Sequence, residues 1–170
     1  MVAAVRTLLL SLAVVASPAA GRSDAQPLGQ LAVFSPLVGR EWIAAFPDGD
    51  VTDTQRFEWV LGARFLRNVH HVRAAGKVVY EGETIYAWDQ RAQRIVWWYW
   101  NSTGGYVTGT IAIGERGELV ATGENHGAAD QLDRVRTVIR IGAGEWTSTA
   151  AQEREGKWTD LPTRTYRPVP

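Results

Sequence analysis

The sequence predicts an all-β protein: an up-and-down antiparallel β-barrel of about ten strands with a short N-terminal helix. Three observations carry this. From Gly39 onward, segments rich in β-branched and aromatic residues recur about every ten residues. Turn residues such as Gly62-Ala63, Ala75-Gly76, Gly104-Gly105 and Glu155-Gly156 separate them. The gaps leave no room for the crossover helices that parallel strands require. An antiparallel meander of this length escapes bare edges by closing on itself. A two-sheet sandwich is the structural alternative.

The elements follow in order. The opening MVAAVRTLLLSLAVVASPAAGRSDAQP places Arg6 before an apolar run from Leu8 to Ala16, then small residues around Ser23-Asp24-Ala25. This is the pattern of a secretory signal peptide over residues 1–25, too short for a membrane span, followed by one barrel domain over 26–170. Pro27 to Val38 suits a short helix interrupted by Pro36. The expected strands are then REWIAAF, TQRFEWVL, RFLRNVHHVR, KVVYEGETIYAW, RIVWWYWN, GYVTGTIAI, GELVATGENH, LDRVRTVIRI, EWTSTAAQ and a closing TRTYRP. Further turns are expected at Asp48-Gly49 and Ala129-Asp130.

Composition narrows the function. The 170 residues are 45% hydrophobic and 21% charged, ordinary for one globular domain. Eighteen basic residues balance eighteen acidic ones, so nothing argues for nucleic acid. With no cysteine, neither disulfides nor lipidation are available, and no stable membrane insertion is expected once the signal is removed. The expected location is periplasmic or secreted.

Four consecutive rings in RIVWWYWN alternate, Trp97 and Tyr99 against Trp98 and Trp100. One pair should line the lumen, and at least one of Trp98 and Trp100 is expected there. Asn68 and His70 share a face, while Arg67, His71 and Arg73 make the other face basic and solvated. Asn68 and His70 are therefore inward candidates, with Glu83 reaching toward His70 across the hairpin. Gly82 in mid-strand marks a bend or a close backbone approach. Such polar groups in an aromatic lumen would anchor a ligand.

The segments LVGREWIAAFPDG, FEWVLGARFLRNVH, GETIYAWD, YWNSTGG and the terminal R-x-Y-R resemble a family of bacterial domains of unknown function with a lipocalin-like, calycin-type β-barrel. The resemblance runs from Leu37 to Arg167 and implies the barrel without supplying a reaction. Arg164-Thr165-Tyr166 is similar in spacing to the arginine and tyrosine with which fatty-acid-binding proteins hold a carboxylate, a role that guanidinium geometry suits. The competing role for Arg164 is stacking on Trp42. Nitrobindin-like haem barrels share the opening but need a histidine near the C-terminus, and none follows His126. Neither haem, metal nor any other cofactor is expected, since three histidines, two adjacent, make a poor ligand set.

The expected function is an exported binding barrel for a small apolar or aromatic molecule, anionic ones included. Its candidate ligand-binding residues are Asn68, His70, Glu83, Trp98, Trp100, Arg164 and Tyr166. No G-x-S-x-G elbow or P-loop is present, and no catalytic motif is recognised. The alternative is a small barrel enzyme using a Glu83/His70 acid–base pair.

Overall fold

A computed structural model describes residues 26–47, 49–127 and 132–170. The signal peptide expected over 1–25 lies outside the described residues, as do Asp48 and the turn expected at Ala129-Asp130. A 3-10 helix, η1 (Gly29–Leu37), precedes eleven strands: β1 (Glu41–Ala45), β2 (Val51–Val60), β3 (Phe65–Ala74), β4 (Lys77–Asp89), β5 (Arg94–Asn101), β6 (Tyr106–Ile113), β7 (Leu119–His126), β8 (Leu132–Ile141), β9 (Trp146–Arg154), β10 (Lys157–Asp160) and β11 (Arg164–Pro168). Strands β1 to β9 pair in sequential antiparallel order, and β11 bridges β9 to β1. The result is a closed up-and-down barrel of ten staves, since β10 and β11 lie along the same edge of β9 and make one interrupted stave. The barrel is consistent with a calycin-like fold.

Closure removes sheet edges and gives every strand one lumen face and one outer face. Helix η1 covers the end of the barrel where β4 finishes and β5 begins. It is anchored by buried Leu31, Phe34 and Leu37, with Phe34 and Tyr86 ring centroids 4.9 Å apart. Pro36 is compatible with it because a 3-10 turn near a helix end wastes few hydrogen bonds. The Trp42 indole N–H donates to the Leu37 carbonyl at 2.8 Å, tying the end of η1 to β1. Gly29 lies against the Trp88 indole, where a Cβ would come within 2.5 Å of ring atoms. Trp42, Phe57, Leu66, Ile95, Ile111, Leu119, Trp146 and Tyr166 complete the core at this covered end.

One detail of register decides what faces the lumen. Strands β3 and β4 join through Ala75-Gly76, both at positive φ, as a two-residue hairpin turn requires. The pairing then slips: Arg73 faces Val78 but Val72 faces Tyr80, leaving Val79 as a bulge. Beyond that bulge Asn68 pairs with Thr84 and His70 with Gly82.

Candidate functional site

The lumen holds a cavity of about 330 Å³. Its apolar wall includes Phe34, Phe57, Tyr86, Trp97 and Trp146, and its polar wall includes Asn68, His70, Tyr80, Tyr99 and Arg164. His70 and Arg164 meet at Asp53, whose side chain is fully buried in β2, while Asn68 donates to the Arg56 carbonyl at 3.3 Å. Tyr166 donates its hydroxyl proton to Asp53 Oδ2 at 2.7 Å, and the Gln55 amide donates to the same oxygen at 3.0 Å. Arg164 Nη1 lies 3.3 Å from Oδ2, and His70 Nδ1 lies 3.2 Å from Oδ1. Burial pushes the Asp53 carboxyl up, but its bond and charge interaction with His70 and the donors Gln55 and Tyr166 outweigh that and hold it below the usual carboxylate range.

The chain of contacts continues on the far side of His70. Nε2 stands 3.0 Å from the Tyr99 hydroxyl, which stands 2.6 Å from the Tyr80 hydroxyl. Gly82 makes this possible. A Cβ there would meet His70 Nε2 at 2.7 Å and the Tyr99 ring at 2.5 Å, so the mid-strand glycine marks a close approach of two side chains over bare backbone. Burial, reinforced by Tyr80 and the Asp53 charge, raises Tyr99 above the ordinary phenol range. Burial and the Asp53 charge raise Tyr166 in the same way.

Arg164 is fixed from two sides. Its guanidinium lies 4.7 Å from the Phe46 ring centroid and meets Asp53 and Tyr166 through Nη1 alone. The Nε and Nη2 protons have no protein acceptor among the described residues, and the side chain is 28% exposed on the cavity. Arg40, not Arg164, stacks on Trp42, 5.6 Å from that ring.

Of the residues singled out from the sequence, Asn68, His70, Arg164 and Tyr166 come together around this cavity. Glu83, Trp98 and Trp100 do not. Glu83 faces outward and accepts from Arg67 at 2.7 Å, while Arg67 also meets Glu58 at 3.0 Å. The bulge at Val79 is the cause: without it Asn68 would oppose Glu83, and the one-residue slip turns Glu83 to the outside. The expected Glu83/His70 pair therefore does not form.

Trp98 and Trp100 are 37% and 47% exposed, and Trp100 with Glu83 lines a separate outer groove. Trp97 and Tyr99 take the lumen instead, because Trp97 pairs with Gly109, which in turn pairs with Gly123. A Cβ on either glycine would strike the Trp97 indole at 2.8 Å or less, so the two glycines open the space inside the lumen that this ring fills.

Sequence reasoning missed Asp53, Tyr80 and Tyr99. The signal for Asp53 was present: it shares alternation phase with Phe57 and Trp59, an acid on the apolar side of a strand. Among the described residues no three histidine, aspartate or glutamate side chains group as metal ligands. No family model matches the chain and no curated protein matches it, so the resemblance drawn from its motifs stops at the barrel.

Proposed function

We propose that the chain is an exported, lipocalin-like barrel that binds one small apolar or aromatic molecule in its lumen and holds an oxygen-bearing end of it against Arg164. The observation that carries this is the joint lining of one cavity by aromatic rings and by a guanidinium with unshared donors. A void of about 330 Å³ is at the small end of ligand pockets. The buried Asp53 carboxylate orients Arg164 through Nη1, leaving Nε and Nη2 as a fork for a carboxylate or carbonyl oxygen.

The test has two parts. Native mass spectrometry of protein purified from its own cells should show a retained small molecule. Tryptophan fluorescence titration with 3-phenylpropionate and a neutral analogue should then separate the contacts. Arg164→Met should weaken the acid about tenfold or more, as expected for a hydrogen bond to a charged group, and leave the neutral probe nearly unchanged. Equal loss of both would assign Arg164 to packing alone, and absence of binding by either probe would remove the lumen as a binding site.

A further inference from the structure

The lumen contains more polar machinery than binding requires. Asp53, His70, Tyr99 and Tyr80 form an unbroken hydrogen-bonded line from a fully buried carboxylate to a hydroxyl on the cavity wall, with successive separations of 3.2, 3.0 and 2.6 Å. We infer that this line is a proton relay, and that the cavity is an acid–base active site for a small enolisable carbonyl compound. The inference rests on the binding reading and names the substrate class it would take.

The polarity of the line follows from donor and acceptor chemistry. An ionised carboxylate only accepts, so the His70 nitrogen facing Asp53, Nδ1, carries a proton. In neutral His70, Nε2 then has a lone pair and accepts from the Tyr99 hydroxyl. Tyr99 oxygen in turn accepts from Tyr80, whose own oxygen keeps lone pairs for the lumen. A second proton on His70 reverses every bond beyond it, and Tyr80 becomes a donor to the lumen. Asp53, 3.2 Å from Nδ1, holds the ring in one tautomer and orientation, as a carboxylate behind an imidazole does in other acid–base sites.

The step balances within the substrate and this line of residues. A substrate C–H bond next to a carbonyl breaks, and its electron pair stays on the substrate as an enolate. The proton forms a bond to Tyr80 oxygen while the Tyr80 proton passes to Tyr99 and the Tyr99 proton to His70 Nε2. Reversal returns a proton to the same carbon or to a conjugated one. No oxidant, reductant or leaving group is involved. Arg164 lies on the same cavity and supplies positive charge for the enolate oxygen. The other groups facing His70 are Asp53 from β2 and Tyr80 and Tyr99 from β4 and β5. Because burial raises Tyr99, its hydroxyl passes one proton on as it takes up another and does not rest as a phenolate.

Phenylacetone is a suitable probe: aromatic, small and acidic at its benzylic carbon. Loss of its benzylic protons in D2O, followed by proton NMR, reads the first half of the transfer, and tryptophan fluorescence reads binding separately. The wild-type protein should accelerate the exchange over buffer. His70→Gln and Tyr80→Phe should each still bind the probe and lose about 100-fold of that acceleration, the lower range for general acid–base catalysis. Tyr80→Phe keeps the ring that packs 5.6 Å from His70, which protects the fold. Binding without accelerated exchange overturns the relay and leaves the binding reading standing. Acceleration that survives both substitutions also overturns it. Failure of phenylacetone to bind overturns the binding reading and the relay with it.

Discussion

Asp53 and Tyr166 are 113 residues apart in sequence, yet their side chains meet at 2.7 Å inside the barrel. The bond joins β2 to β11 across β1, the strand between them, where the small buried residue Ala44 opposes Asp53. The hydrogen bond thus spans the place where the last stave closes on the first. The same carboxylate orients Arg164 and His70, so closure of the fold and assembly of the polar site depend on one side chain.

That dependence sets an order of destabilisation. Tyr166→Phe keeps the ring stacked on Trp146, at 3.9 Å and 5°, and removes the short hydrogen bond to Asp53 with the longer ones from Gln55 and Arg164, about 2 kcal/mol. Asp53→Ala strands Arg164 and leaves Tyr166 and Gln55 without their acceptor, about 3 kcal/mol or more. Urea unfolding of both variants checks the order. A smaller cost for Asp53→Ala than for Tyr166→Phe would mean that burying the carboxylate is a net burden in the native protein.

Acid should expose the same residue. The folded Asp53 carboxyl titrates below its ordinary 3.8, so the ionised, fully bonded form contributes all of its stability above about pH 4. That contribution is lost as pH falls through the lowered folded value, because the unfolded chain binds the proton more readily. Thermal unfolding between pH 7 and pH 2 should show a steep acid limb in the wild type and a shallower one in Asp53→Asn. Identical limbs would place the acid sensitivity on other carboxylates.

Gly82→Ala separates the relay from the fold. Gly82 does not need a left-handed backbone, so the cost of a Cβ is contact alone, and the atoms it meets are the movable ends of His70 and Tyr99. The barrel should persist, with a loss of about 1–3 kcal/mol typical of overpacking, while the His70–Tyr99 hydrogen bond breaks. Nitrogen-15 NMR of the histidine ring reads this directly as a displaced Nε2 resonance. An unmoved resonance would show that the chain accommodates a methyl group without opening.

Legibility in the sequence divided along physical lines. The barrel was readable because turn residues and strand-like runs recur along the whole chain, and no single register error alters that pattern. Facing was less secure. Asn68 and His70 were placed inward because the opposite face of β3 carries Arg67, His71 and Arg73, a contrast local to one strand. Glu83 depended on pairing between strands, and one bulged residue, Val79, reversed it. Trp97 and Trp98 cannot be distinguished on β5 itself, because the glycines that admit Trp97 are on β6 and β7. Asp53 is hard to notice because β2 begins at Val51, three residues before the strand-like run TQRFEWVL, which leaves the acid between the turn at Asp48-Gly49 and that run.

The tail provides the last prediction. β11 pairs with both β9 and β1, and it supplies Arg164 and Tyr166 to the lumen. Truncation before Thr163 therefore removes the β11 part of the last stave and its seam bond together, leaving Asp53 buried without Tyr166 or Arg164, and β1 and the Trp146–Ser148 stretch of β9 with unpaired edges. The shortened protein should lose several kcal/mol and self-associate, which size-exclusion chromatography and urea unfolding would both register. A cut after Arg167 is the control. It removes the pairing of Pro168 with Trp42 and the Val169 N–H bond to Glu41 carbonyl at 2.9 Å, but it spares the seam and should cost about 1 kcal/mol. If the longer truncation stays monomeric and as stable as the shorter one, closure does not depend on β11. In that case the Asp53–Tyr166 bond would be a consequence of the barrel and not one of its causes.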